Sequence, residues 1–556
     1  MIPSMAESAC SSSSSIGADL VLRGGVIITL DPARPTTEAL AVRGDRITAL
    51  GGSDEIEKYI SSATTMIDLA GRLVVPGFIE GHAHFMGLGE SLMQLDLAAV
   101  RNFDEIAELV FQEAAGLQPG QWIQGHGWHQ EKWERTPEPS VDGIPCNPRL
   151  NEAAPHNPVF LVHASGHMGL ANAAAIETAG VDSADGIFRE EAMQAIFGAI
   201  QASRRSLNKQ ESDAHHQRAA KLALRECLSK GITSFQDAGS SFEEIEFFKR
   251  LAEKDLLGLR LWVMISEDNP ALEENLELYR IVSGGNKHLS VRAIKRHADG
   301  ALGTHGAWLI EPYADLPASR GMNTTPLEEI ARTARLAHEH GFQLCTHAIG
   351  DRACREVLDV YEKIFSQNPQ ANDLRWRIEH AQHLSALDVP RFARLGVTAS
   401  MQGVHCVSDA PWVRKRLGEP RAREGAYAWR SLLDSGALLT NGSDAPVENV
   451  DPVAGFHALV TRRTRDGNVF FPQQRLTRSE ALRACTLSAA RAAFEENDKG
   501  SLEPGKLADM VILSHDIMSV PEDQILQTRI MLTILGGRVV YRAGSEYGNT
   551  LGRNHR

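Results

Sequence analysis

From about residue 210 the chain repeats one pattern of apolar and polar positions. A stretch with helical apolar spacing ends at a glycine, a short apolar or β-branched run follows, and a polar residue closes that run. HQRAAKLALRECLSKG leads into ITSFQDAG, PLEEIARTARLAHEHG into FQLCTHAIGD, LSALDVPRFARLG into VTASMQGVH, and AYAWRSLLDSG into ALLTNGSDAP. Gly231, Gly341, Gly396 and Gly436 stand where a helix end takes a left-handed residue. Strands alternating with helices of this length predict a parallel sheet. Eight runs qualify, near residues 73–80, 232–237, 260–265, 292–297, 342–347, 376–381, 397–402 and 437–442. The predicted fold is α/β, a (β/α)8 TIM barrel whose working groups lie at the C-terminal ends of its strands. An open doubly wound sheet is the competing arrangement, but no Gly-rich phosphate loop follows any of these strands.

Two regions break this rhythm. About residues 86–215 separate the first two strands, far too long for one βα unit, and predict an inserted subdomain over the barrel mouth. At the ends, ADLVLRGGVIITL, TEALAVRGDRITALG, MIDLAGRLVVPG, ADMVILSH and MLTILGGRVVYRAG alternate at period two between glycine turns. They predict one small β-sandwich built from both termini, residues 18–75 and 497–545, flanking a barrel at 76–496. Residues 1–17 and 546–556 read as flexible tails.

A chain of 556 residues exceeds what one core usually organises, in keeping with this division. The formal charge of −14 argues against a nucleic-acid or anionic-membrane partner, and no apolar run is long enough to span a bilayer. MIPSMAESACSSSSSIGAD lacks the basic start and apolar core of a secretory signal. Cysteines 10, 146, 227, 345, 354, 406 and 485 are odd in number and scattered without CxxC spacing, which suggests reduced thiols in a cytoplasmic setting. The expected partner is a small-molecule substrate, with self-association into a homo-oligomer left open.

The polar closures carry the chemistry. GFIEGHAHF places His82 and His84 on one side of a strand end, roughly 7 Å apart along the backbone. VRAIKRHADG gives Lys295, QLCTHAIGD His347, RWRIEHAQH His380, and LLTNGSDAP Asp444. A lone strand histidine is ordinarily a satisfied polar residue, Lys295 alone would read as a snorkelling or paired lysine, and Asp444 as a turn cap. Four imidazoles, a carboxylate and a lysine at the ends of separate strands of one barrel point instead to a metal site. Imidazole and carboxylate suit Zn2+ or a similar divalent ion.

PGFIEGHAH, KRHADGALG, THAIGDRA, RIEHAQH, GSDAP and SLEPGKLADMVIL together resemble the amidohydrolase superfamily. The resemblance, over about residues 18–545, is closest to its large-insertion branch of YtcJ-like proteins and N-substituted formamide deformylases, the amidohydrolase 3 group. It implies a (β/α)8 barrel with a flanking β-sandwich. It implies that His82, His84 and Asp444 hold one metal, that His347 and His380 hold a second, and that Lys295, carboxylated by CO2, bridges them. With Lys295 unmodified, a single ion is the fallback. Many relatives carry Asp-Ser before HxH, where this chain has Glu80-Gly81.

A divalent metal lowers the pKa of bound water to about 7, making hydroxide available, and polarises a carbonyl oxygen. Asp444 would accept the water's proton and deliver it to the leaving nitrogen. The expected reaction is hydrolysis of a non-peptide C–N bond in an amide, N-substituted formamide or cyclic amide. Ester or lactone hydrolysis, deamination or another reaction at the same metal, and a non-catalytic scaffold, are the alternatives. For the substrate shell, His126 and Trp128 lie in the insert, where packing is an equal reading. His167, Gln402 and His405 match the family's pattern, while Asp299 and Gly300 are expected to shape the loop after the fourth strand.

Overall fold

The computed structural model describes residues 17–544 apart from 131–132, 164–167, 190–191, 207 and 369–372. The predicted tails lie outside that range but for Gly17. Eight parallel strands form the barrel: β1 (Phe78–Ala83), β2 (Ile232–Ser240), β3 (Arg260–Ile265), β4 (Leu289–His297), β5 (Gln343–Ala348), β6 (Arg377–His380), β7 (Thr398–Gln402) and β8 (Leu439–Gly442). Each pairs with its successor. Such strands are covered on both faces, and β3 is buried at every residue. The covering helices show the expected spacing: Asp351–Gln367 buries Ala353, Cys354, Val357, Leu358, Tyr361 and Ile364. Helix Val389–Leu395 stops at Gly396 (φ 66°), whose N–H turns back to the Phe392 and Ala393 carbonyls before β7 begins.

The sheet nearly closes between β1 and β8. Asp444 N–H donates to the His82 carbonyl at 2.7 Å, and His84 N–H donates to that of Ala445 at 2.8 Å. Backbone closure therefore occurs at the strand ends that carry the candidate ligands.

One strand boundary differs from the sequence reading. The run LVVPGFIE is not one strand: Leu73–Pro76 lies between Val26–Ile28 and Met510–Leu513 in a flanking sheet, and the barrel begins at Phe78. Gly77 is the pivot, since a β-carbon there would collide with the Thr233 side chain. Period-two alternation cannot detect such a handover, because both halves of the run are buried.

The flanking sheets match the sandwich expected from the two ends. Leu20–Arg23, Ala39–Arg43, Arg46–Gly51 and Thr65–Asp68 form a four-stranded sheet. Strands Val26–Ile28, Thr36–Thr37 and Leu73–Pro76 join Met510–Leu513, Ile530–Leu535 and Arg538–Arg542 in a six-stranded one. Leu22, Val42, Val74, Met510, Ile512 and Ile534 belong to one apolar cluster drawn from both sheets. Arg260 at the start of β3 donates to both carboxylate oxygens of Asp509, at 2.6 and 3.0 Å, and Asp509 also accepts the Gly536 N–H at 2.8 Å. This buried pair fastens the sandwich to the barrel.

Residues 85–223 form a second compact unit. Its five-stranded sheet runs in the order Ile187–Arg189, Met168–Ala171, Val159–His163, Ile123–Trp128, Leu95–Asp96. Phe103, Ile106 and Val110 of helix Phe103–Ala114 share a core with Trp128, Val159 and Leu161.

Candidate functional site

His82 lies on β1 and His84 just beyond it, with ring centroids 6.1 Å apart. Asp444 follows β8, and the closure described above sets its carboxylate between them: Oδ1 is 3.5 Å from His82 Nε2 and 3.3 Å from His84 Nε2. The His380 ring, from the end of β6, is 4.8 Å from that of His82. One donor atom from each of His82, His380 and Asp444 lies within 4.8 Å of the other two, all three residues being buried.

Two of these residues sit in left-handed backbone, His380 at φ 75° and Asp444 at φ 60°. For residues with a β-carbon this costs on the order of 1–3 kcal/mol each. At His380 it interrupts strand alternation, so that Glu379 and His380, adjacent in sequence, both approach His82.

His347 on β5 is a neighbour of His380, with centroids 4.4 Å apart, yet its Nε2 lies 3.6 Å from Asp299 Oδ1. Lys295 on β4 is buried, and burial lowers its ammonium pKa against the pull of Glu379 and Asp444. Burial pulls His347 and His380 in the same direction, which keeps them neutral as metal ligands must be. Asp444 is the opposite case: burial alone would raise its pKa, but the imidazoles of His82 and His84 on either side of it hold it far below the usual carboxylate range.

The sequence reading missed the layer beneath. Glu379 Oε2 lies 2.5 Å from His82 Nδ1, and Arg377 donates to both Glu379 oxygens, at 2.7 Å from Nε and 2.9 Å from Nη2. Arg377 also donates to Gln236 Oε1 (2.5 Å), the Gly81 carbonyl (2.7 Å) and Ser400 Oγ (2.7 Å), linking β1, β2, β6 and β7. Burial would raise the Glu379 carboxyl, but Arg377 and His82 hold it well below its ordinary range. A readable signal existed: RIEH places opposite charges two apart in a run otherwise read as buried strand, so they share a face.

Glu80-Gly81, the departure noted before HxH, also gains a reason. Glu80 Oε1 accepts the backbone N–H of His82 at 3.1 Å and of Ser443 at 2.7 Å, tying β1 to the segment after β8. Burial pushes its pKa up to about 7. A β-carbon on Gly81 would collide with the Asn441 carbonyl, so glycine permits the close approach of β1 and β8.

The substrate-shell candidates fall differently. Gln402 uses both ends of its carboxamide: Nε2 donates to the Ser400 carbonyl at 3.2 Å, and Oε1 faces His380 Nδ1 at 2.7 Å. The His405 ring stacks 6.1 Å from His380, with Nε2 at 3.9 Å from Asp444 Oδ2 and Nδ1 at 3.2 Å from the Gln382 amide. Trp128 is buried in the 85–223 unit, donates to the Leu161 carbonyl at 3.0 Å and stacks on Trp133, which is packing. His126 is exposed on the same strand, and His167 lies outside the described residues. Asp299 shapes a loop as expected, accepting the N–H groups of Trp308, Ile349 and Gly350 at 2.8–2.9 Å.

A divalent ion fits these residues. Nε2 of His82, His347 and His405 are buried and make no hydrogen bond, a costly condition that a ligand atom relieves. The donor set is imidazole and carboxylate, with no thiolate among the grouped ligands.

Residues 65–541 match the amidohydrolase family. The chain is 32% identical to Protein LONG AFTER FAR-RED 3 of Arabidopsis thaliana over 95% of its length and 92% of that protein. It is 30% identical to the putative amidohydrolase YtcJ of Bacillus subtilis, covering 94% and 99% of the two chains. It is 25% identical to the N-substituted formamide deformylase of Arthrobacter pascens, covering 95% and 99%. Among solved structures, an uncharacterized metal-dependent hydrolase from Pyrococcus furiosus superposes with a TM-score of 0.74 at 27% identity, over 90% of this chain and all of that one.

Proposed function

The chain belongs to the amidohydrolase family of hydrolases, and on that premise we propose that it hydrolyses a non-peptide C–N bond in a small amide, N-substituted formamide or cyclic amide. The observation that carries this reading is the buried group of His82, His380 and Asp444 at the barrel's strand ends, with a ligand nitrogen left unpartnered. Likeness over nearly its whole length to an N-substituted formamide deformylase supports the choice of bond.

In this reading His82, His84 and Asp444 hold a divalent ion, Zn2+ by ligand chemistry, with His380 beside it; His347 and a carboxylated Lys295 complete a second place. Such an ion, when bound, supplies Lewis acidity and makes water a nucleophile near neutral pH. Burial favours the neutral Lys295 amine, the form that adds CO2. Asp444 does the proton work. It stays ionised, takes a proton as water oxygen bonds to the carbonyl carbon, and returns it to the nitrogen as the C–N bond breaks. In the same reading His405 donates to the substrate's carbonyl oxygen, a role supported by its Nε2 being unpartnered and 3.9 Å from Asp444.

Purified protein reconstituted with Zn2+ should cleave members of a panel of N-alkyl formamides, linear amides and cyclic amides, with release of amine. Turnover confined to esters, or ammonia release confined to amino-heterocycles, would contradict the C–N hydrolase reading.

A further inference from the structure

We propose that Glu379, held by Arg377, is a positioning residue that fixes His82 with its proton on Nδ1 and so presents the Nε2 lone pair to the metal, and that Gln402 does the same for His380. This rests on the metal-dependent reading above and extends it to the residues hydrogen-bonded to two of the candidate ligands.

An imidazole offers a metal only a nitrogen without a proton, and the other nitrogen's hydrogen bond decides which one that is. Glu379 can only accept at His82, because Arg377 occupies both of its oxygens with donors and keeps it ionised. The 2.5 Å contact from His82 Nδ1 to Glu379 Oε2 is therefore N–H donating to carboxylate. His82 Nε2 is then the free lone pair, and it is the atom without a hydrogen bond, 3.5 Å from Asp444.

Gln402 reaches the same end by another route. Its amide orientation is set by donation from Nε2 to the Ser400 carbonyl, which turns Oε1 toward His380 Nδ1. Oxygen there accepts, so His380 also carries its proton on Nδ1, leaving Nε2 for the site. The two supports differ in strength. A carboxylate makes the stronger, charge-assisted bond and raises ligand basicity more than a neutral amide does. Ser400 serves both, accepting from Gln402 through its carbonyl and from Arg377 through its hydroxyl.

The test is Zn2+ affinity of the full-length chain, measured by competition with a chromophoric chelator after metal removal, for wild type, Glu379→Gln and Gln402→Leu, each checked for folding by circular dichroism. The expected result is binding about 10–100-fold weaker in Glu379→Gln and a smaller loss in Gln402→Leu. Unchanged affinity in folded Glu379→Gln would overturn the proposal. A second readout needs neither metal nor the variant: 15N spectra of histidine-labelled apoprotein, with His82 assigned through His82→Asn, should show the proton on Nδ1. A proton on Nε2 would overturn the proposal even if Glu379→Gln failed to fold. Wild type that takes up no Zn2+ would overturn the metal reading instead, while the spectra would still decide the tautomer.

Discussion

The two sides of the candidate site are built differently. On the side of β1, β6 and β8, three of the candidate ligands are held by a second contact: His82 by Glu379, His380 by Gln402, Asp444 by the backbone closure to His82. On the side of β4 and β5, no side-chain hydrogen bond among the described residues holds Lys295, and His347 turns its Nε2 toward Asp299, 3.6 Å away. Partners within the protein finish the first side. In the proposed reading an ion or a carbamate on Lys295 completes the second side. Pre-organisation costs strain and buried charge, and both are concentrated on the first side, in the left-handed backbone of His380 and Asp444 and in the Arg377–Glu379 pair.

Removing the finished side should have the largest effect. Asp444→Ala is expected to lower turnover by at least about 10²–10⁴-fold and to reduce bound metal, with thermal unfolding still cooperative because the barrel core lies below. Turnover within tenfold of wild type would dissolve the contrast. Lys295→Ala should cost less on the finished side: metal analysis should show one ion retained where wild type holds two, and bicarbonate should no longer stimulate reconstitution. Loss of all metal in this variant would mean that the two sides are not separable.

A buried imidazole with no assigned ligand role sharpens the contrast. His383, three residues after His380, has no hydrogen bond at either ring nitrogen among the described residues, and burial lowers its pKa to about 3. Unfolded, it would titrate near 6.5 and bind a proton that the folded state refuses. Its contribution is therefore neutral above that pH and increasingly destabilising as pH falls toward 3, on the order of 3 kcal/mol by about pH 4. His383→Phe should show a flatter decline of stability between about pH 6.5 and 4 in denaturant titrations, and an unchanged slope would place His383 in contact with water. The smallest effect belongs to the insert. Trp128→Phe removes the bond to the Leu161 carbonyl and should lower stability by about 1 kcal/mol with little change in KM; a large rise in KM would favour substrate contact, the other reading of this residue.

What could be read from the chain follows the same division. The barrel was legible because a parallel sheet repeats its helix, glycine and strand phrase, and each closing polar residue marks a strand's C-terminal end. His82, His84, Lys295, His347, His380 and Asp444 were picked out as candidates that way, and the structure groups His82, His380 and Asp444 among them. The start of β1 was misjudged because Leu73–Pro76 and Phe78–Ala83 are equally buried, and only the Gly77 pivot separates sandwich from barrel. Arg377 and Glu379 were passed over because their meaning lies in contacts across four strands, which spacing along one strand does not carry. Gln402 stood out as a strand-end polar residue, but its direction depends on Ser400. In the insert, short strands and mixed pairing left no period to read, and its aromatic residues could not be divided between packing and binding.

The central claim is most directly tested by anomalous diffraction at the zinc edge from crystals of the reconstituted protein. A peak about 2.0–2.2 Å from His82 Nε2 and an Asp444 oxygen is the predicted result. Fully reconstituted crystals with no peak at that cluster, or with zinc held only by residues elsewhere on the chain, would contradict it.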